Sequence, residues 1–329
     1  MSDTTSRHRG GSVDRASAVV FPLLRGVAQV DLQPNALTGL FILVSLWVAG
    51  WDVGLFATIG LVVSTASALV LGVDRSSISV GLQGYSGCLT GIALVTYLDR
   101  HLSTYLLAIA GAILCTLLSA ALSTFLTPYG LTPLTAPFCI VSGVMVVGAP
   151  SFARVWHGGT SAAVSSTTKG DTSLSWSDLW HGFFTNVSQI FLVDEWYVGL
   201  IMLVGLAIAG PWVVAYAAAG SVVGIFVAWA LGAPASLIEN GIYGYNAVLV
   251  AIAMGAVFLP RTLACGLYAL FGAAVTTGVT AAMTSFFKPF GGHTFTWPFI
   301  LTTWVLMAAV PKLPRFAPRK GPHDESGTP

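Results

Sequence analysis

One nine-residue pattern occurs twice in this chain, at a fixed displacement. Gly81–Leu89 reads GLQGYSGCL and Gly241–Leu249 reads GIYGYNAVL, a shift of 241 − 81 = 160. Gly81, Gly84, Tyr85 and Leu89 recur as Gly241, Gly244, Tyr245 and Leu249. The same shift takes Leu71-Gly72 onto Leu231-Gly232, Ile92-Ala93 onto Ile252-Ala253, and Gln29 onto Gln189. Further along it becomes 161, where Thr135-Ala136-Pro137-Phe138 meets Thr296-Trp297-Pro298-Phe299. A duplicated unit of roughly 135 residues follows. Whatever the first half folds into, the second half has to build again. The expected division is a polar tail 1–18, a first repeat 19–150, a linker 151–177, a second repeat 178–311 and a polar tail 312–329.

The solvent of the two halves follows from their charge. Charged residues make up 8% of the chain and hydrophobic ones 55%, against about a quarter charged in a soluble domain. Leu32–Trp51, Val53–Val73, Ser76–Leu98 and Leu102–Ala153 hold no Asp, Glu, Lys or Arg. Neither do Trp196–Ile238, Asn240–Pro260, Thr262–Phe287 and Pro289–Pro311. A spanning helix needs about 20 apolar residues. Each half therefore offers about five spans, with one or two segments too broken to cross. Gln33-Pro34-Asn35 and Pro128–Pro133 mark such breaks.

An odd number of spans per repeat inserts the second copy upside down and puts a pathway on the pseudo-two-fold axis. The expected fold is thus an all-α integral membrane protein of two inverted repeats. Both tails are basic, which places both termini in the cytoplasm and Ser161–Thr168 of the linker outside. The N-terminus is polar through Ser17, so no cleavable signal peptide is expected. A net charge of +1 implies no nucleic acid and no acidic partner.

Enzyme chemistry finds no support. There is no G-x-S-x-G, no H-E-x-x-H, no P-loop and no pair of buried carboxylates. The six histidines show no metal-ligand spacing, and the four cysteines read as small packing residues. No cofactor and no metal are expected, and nothing suggests a proton relay or nucleotide-driven pumping.

Polar groups inside a bilayer are costly and turn towards a cavity or the protein interior. The informative ones come in equivalent pairs: Gln29 with Gln189, Thr135 with Thr296, Ser86 with Asn246. Each offers an oxygen that accepts hydrogen bonds. Tyr85 and Leu89, like Tyr245 and Leu249, stand at i and i+4 and share a helix face. Each pair can form an aromatic-plus-aliphatic wall. Gly81, Gly84, Gly241 and Gly244 allow close backbone approach.

Several stretches then resemble one family. LLRGVAQVDLQPNALTGL (Leu23–Leu40), LGVDRSSISVGLQGYSGCLTGIAL (Leu71–Leu94), SWSDL (Ser175–Leu179) and LGAPASLIENGIYGYNAVLVAIAMG (Leu231–Gly255) look like the urea transporter family, as do LTAPF (Leu134–Phe138) and FTWPF (Phe295–Phe299). The resemblance covers about Val19–Lys312. It implies tilted half-membrane helices, a homotrimer in the inner or plasma membrane with one pore per protomer, contact with lipid, and passive, channel-like passage of urea. By position, Gln29 and Gln189 would stand at the ends of the filter and Thr135 and Thr296 at its narrow middle. Tyr85, Tyr245, Leu89 and Leu249 would form flat slots. Leu32 and Leu192, and Val30 and Ile190, would complete the walls. Leu32 stands where relatives often have an aromatic residue, Ser86 where they have asparagine, and Gln189 where some carry glutamate. A channel for another small neutral solute (a short amide, ammonia or water) is the alternative, though an ammonia channel should bring a histidine pair into the pore.

Overall fold

The computed structural model describes residues 19–157 and 170–316. Residues 1–18, 158–169 and 317–329, which hold the expected tails and Ser161–Thr168, lie outside the described residues. Every regular element among the described residues is helical. The first half contains α1 (Val19–Asp31), α2 (Ala36–Ala49), α3 (Trp51–Val70), α4 (Arg75–Ser79), α5 (Tyr85–Leu98), α6 (Leu102–Leu126) and α7 (Ala136–Gly148). The second contains α8 (Trp176–Phe191), α9 (Trp196–Ala209), α10 (Pro211–Ala230), α11 (Ala235–Glu239), α12 (Tyr245–Phe258), α13 (Leu263–Phe287) and α14 (Trp297–Ala309). Adding 160 to the starts of α2–α5, and 161 to those of α6 and α7, gives the starts of α9–α14. The duplication in the sequence is a duplication of elements.

Four helices are long and apolar enough to cross a membrane by length and composition: α3, α6, α10 and α13, the second and fourth with short extensions to Tyr129 and Phe290. They become up to six if the bent pairs α1–α2 and α8–α9 each count once. The uncharged runs of the sequence are cut more finely than their charges suggest. Ser76–Leu98 is divided by a turn at Gly81–Gly84, leaving an α5 of 14 residues, short of the about 20 that a span needs. Charge marks where a run ends and is silent about breaks inside it.

The two bends share one cause. At the end of α1, Leu32 takes a left-handed backbone (φ 61°), and its N–H closes on the Gln29 carbonyl at 3.0 Å. The Gln33 N–H reaches back to Ala28 at 3.0 Å, the pairing that terminates a helix. Pro34 cannot continue it. Asn35 then starts α2, its side-chain oxygen accepting from the N–H groups of Leu37 and Thr38 at 3.0 and 3.1 Å, as an N-cap does. Leu192 repeats the left-handed turn (φ 60°). The axes bend by 78° and 77°.

Small residues bring α5 to the centre. A Cβ on Gly60 of α3 would lie 2.0 Å from the Gly87 carbonyl oxygen of α5. Backbones this close need glycine, and small residues are the usual contact between helices in lipid. Almost all of α5 and the first eleven positions of α12 are buried. α2 packs on α9 across the halves, and the Thr38 hydroxyl donates to the Gly205 carbonyl at 2.8 Å. One core cluster accordingly spans both halves, with Val30, Leu89, Ile190, Leu249 and Phe299 in it. The outer helices turn apolar side chains outward, among them Leu102, Phe125, Phe226 and Leu263, as a lipid-facing surface does.

Candidate functional site

Gln29 and Gln189 sit on the last turns of α1 and α8, just before the bends. The Gln29 amide nitrogen donates to the Val80 carbonyl at 2.8 Å, and that of Gln189 to the Asn240 carbonyl at 3.3 Å. Val80 and Asn240 are themselves 160 residues apart (240 − 80). A carbonyl only accepts, so the nitrogen of each amide is committed to it. Among the described residues neither Oε1 has a donor, so each can accept from a solute.

Tyr85 and Tyr245 begin α5 and α12. Their hydroxyls donate to carbonyls at the start of α7 and α14: Tyr85 to Leu134 at 2.7 Å, Tyr245 to Phe295. Leu134 and Phe295 have positive φ, 50° and 43°. The next residues are Thr135 and Thr296. Their hydroxyls meet at 2.7 Å, although they lie 161 residues apart in the chain. The Cys139 thiol lies 3.2 Å from the Thr296 hydroxyl. Both threonines are almost fully buried.

Two cavities flank this contact. One, of about 660 Å³, is lined by Gln189, Leu192, Ile242, Tyr245, Thr280 and Thr284, with Tyr97 from the other half. The other, of about 440 Å³, is lined by Gln29, Leu32, Leu82, Tyr85, Ser119 and Ser123, with Val257 from the other half. Shifted by 160 or 161, the second set becomes the first, and Tyr97 becomes Val257. The cavities are equivalent in construction and differ in charge. The larger also holds Asp194, Lys288 and His293, whereas among the described residues no charged or histidine side chain lines the smaller. The His293 ring stacks on Tyr97 at 3.7 Å between centroids. Burial pushes the His293 imidazole down to about 4, so it is neutral near pH 7.

The residues named from the sequence fall into two groups. Gln29, Val30, Leu32, Tyr85 and Thr135 line the smaller cavity, and Gln189, Leu192 and Tyr245 the larger. Leu89, Leu249, Ile190 and Thr296 line neither and are buried, the first three in the core cluster that spans both halves. Three residues had no sequence signal pointing to the site. Tyr97 and His293 come together from different halves, and Cys139 reaches Thr296 because α7 and α14 start side by side. Asp31, on the last turn of α1, is buried, and among the described residues neither carboxylate oxygen has a hydrogen-bond partner. Its counterpart is Phe191. Among the described residues no cluster of three or more His, Cys, Asp or Glu could hold a metal ion.

Comparison with known proteins bears on this arrangement. The family described as Urea transporter matches residues 20–311. Urea transporter 1 of Ovis aries is 32% identical over 311 residues, covering 92% of this chain and 80% of its own. Urea transporter 1 of Capra hircus is 31% identical over the same length and shares. That of Rattus norvegicus is 30% identical over 293 residues, 87% of this chain and 75% of its own.

Proposed function

Since the chain belongs to the urea transporter family and is a multi-pass membrane protein, we propose that it passes urea down its gradient through a pore joining the two cavities. The observation that carries this reading is the Thr135–Thr296 hydroxyl contact of 2.7 Å between two cavities of equivalent lining. Residues that touch their own copies lie beside the axis relating the copies. This supports two inverted repeats with the pore on that axis.

The chemistry suits urea. The molecule is flat and neutral and has four N–H donors. Taken out of water with those donors unmet, it would lose several kcal/mol. Gln29 Oε1 and Gln189 Oε1 at the two cavities, and the threonine hydroxyls between them, form a row of acceptors that replaces water. Tyr85 with Leu89, and Tyr245 with Leu249, form the walls of the flat slots, and Leu32, Leu192, Val30 and Ile190 back them. An ion would lose far more hydration than neutral acceptors restore, so ions are refused. The protein is a transporter and not an enzyme. A homotrimer in the inner or plasma membrane, surrounded by lipid, with both termini cytoplasmic, is proposed on the family resemblance and on the basic tails.

Stopped-flow measurement on proteoliposomes tests the proposal. Urea flux should rise linearly with the gradient, exceed the fluxes of formamide and acetamide, and leave ion leakage unchanged. Accumulation of urea against its gradient under a proton or sodium gradient would refute the passive mechanism. Faster passage of acetamide than of urea would favour a general small-amide channel.

A further inference from the structure

The turns that present Thr135 and Thr296 are built alike and held differently. Leu134 and Phe295 both take left-handed backbones. A residue with a side chain keeps that conformation only where its surroundings hold it. A tyrosine hydroxyl grips the carbonyl in each turn, Tyr85 on Leu134 and Tyr245 on Phe295.

The second turn has another hold. The Asn246 side-chain nitrogen also donates to the Phe295 carbonyl, at 3.4 Å, and its oxygen accepts the Phe299 N–H in the first turn of α14 at 3.2 Å. Asn246 therefore ties the turn to the helix that follows it. In the first half Ser86 stands at this position. A hydroxymethyl group is shorter than a carboxamide and cannot bridge two such groups. The Ser86 hydroxyl is buried and makes no hydrogen bond to any described residue. Among the described residues, Tyr85 makes the one side-chain hydrogen bond to the Leu134 carbonyl.

We propose that Tyr85, Tyr245 and Asn246 are positioning residues that clamp the two sides of the constriction unequally. The Thr296 side is held twice and stays fixed; the Thr135 side is held once and yields when a solute passes. The consequence for flux rests on the reading of the threonine pair as the barrier, whereas the clamp itself does not.

Amide hydrogen exchange over residues 134–136 and 295–297, alongside urea flux in proteoliposomes, tests it. Tyr85→Phe should speed exchange at 134–136 and lower flux by about tenfold, the worth of one buried hydrogen bond. Tyr245→Phe should speed exchange at 295–297 by less than about threefold, because Asn246 still holds the Phe295 carbonyl. Ser86→Asn should slow exchange at 134–136 by itself and restore flux in the Tyr85→Phe background, a rescue that general destabilisation would not show. Asn246→Ser added to Tyr245→Phe should make the second turn behave as the first does in Tyr85→Phe. Equal effects of the two tyrosine substitutions on exchange in their own turns, or no effect of Ser86→Asn on exchange, would overturn the unequal clamp. Absence of urea flux in the unmutated protein would instead overturn the transport reading, with the exchange data still deciding the clamp.

Discussion

The threonine pair is the smallest unit on which the mechanism can be tested. Valine keeps the shape of threonine and removes the hydroxyl. On the proposed reading of the pair as the barrier, Thr135→Val makes a urea N–H cross it without its acceptor, at a cost of about 1–3 kcal/mol. Urea flux should fall by about five- to 150-fold if this step limits. Thr296→Val should act in the same direction and also strand the Cys139 thiol. Gln29→Leu acts where the cavity is wider and should cost less. Proteoliposome flux checks this, with the oligomer verified by gel filtration; undiminished flux in both valine variants would remove the threonines from the barrier. A second prediction concerns Asp31. A buried carboxylate with no partner is a burden on the fold, and an apolar replacement removes it. Asp31→Val should therefore raise the melting temperature in detergent, and a fall would mean that the carboxylate has a partner in the membrane. The paired glutamines, tyrosines and threonines were legible because the repeat singled them out. Tyr97, His293 and Cys139 were not, because their counterparts Val257, Thr132 and Ile300 share none of their chemistry.

At the scale of elements, the close approach of α3 and α5 places the tyrosine wall. A methyl group on Gly60 would lie 2.0 Å from a backbone oxygen that cannot rotate away. Gly60→Ala should force the helices apart at a cost of about 1–3 kcal/mol or more and move Tyr85 off the Leu134 carbonyl. A lowered melting temperature together with reduced urea flux is the expected result; wild-type values for both would show that the backbones part freely. The bends at Leu32 and Leu192 were only partly readable. Pro34 announced the first; in the second, Val193 stands for Gln33 and Asp194 for Pro34, and the charges of Asp194-Glu195 marked the end of the segment without showing that it bends. The second bend follows from the same left-handed leucine, and leucine does not advertise that backbone. Likewise the uncharged runs located the apolar segments but not the turns inside them, because a turn at a glycine needs no charge.

At the scale of the whole molecule, orientation is the open structural variable. On the positive-inside rule we propose, from the basic tails, that both termini are cytoplasmic and the linker is outside. A cysteine at position 165 should react with an impermeant maleimide in intact cells, while cysteines added to either tail should react only after permeabilisation. The four native thiols are buried and should contribute little background. Labelling of position 165 only in broken cells would invert this topology.

Composition and periodicity are properties of the chain read as a line, and they alone established the membrane environment, the duplication, the family resemblance and the paired polar residues. They suffice because a bilayer excludes charge from long runs, and because a copied unit keeps its chemistry at a constant displacement. Which of these residues meet was decided only by the tertiary structure. Thr135 reaches Thr296 across 161 positions, Tyr97 closes a cavity of the opposite half, and Asn246 holds the Phe295 carbonyl whereas Ser86 leaves the equivalent Leu134 carbonyl to Tyr85. Each contact depends on where bent helices point their side chains after the two halves have packed against each other. That direction is set jointly by many weak contacts between distant segments, and no local stretch of the sequence contains it.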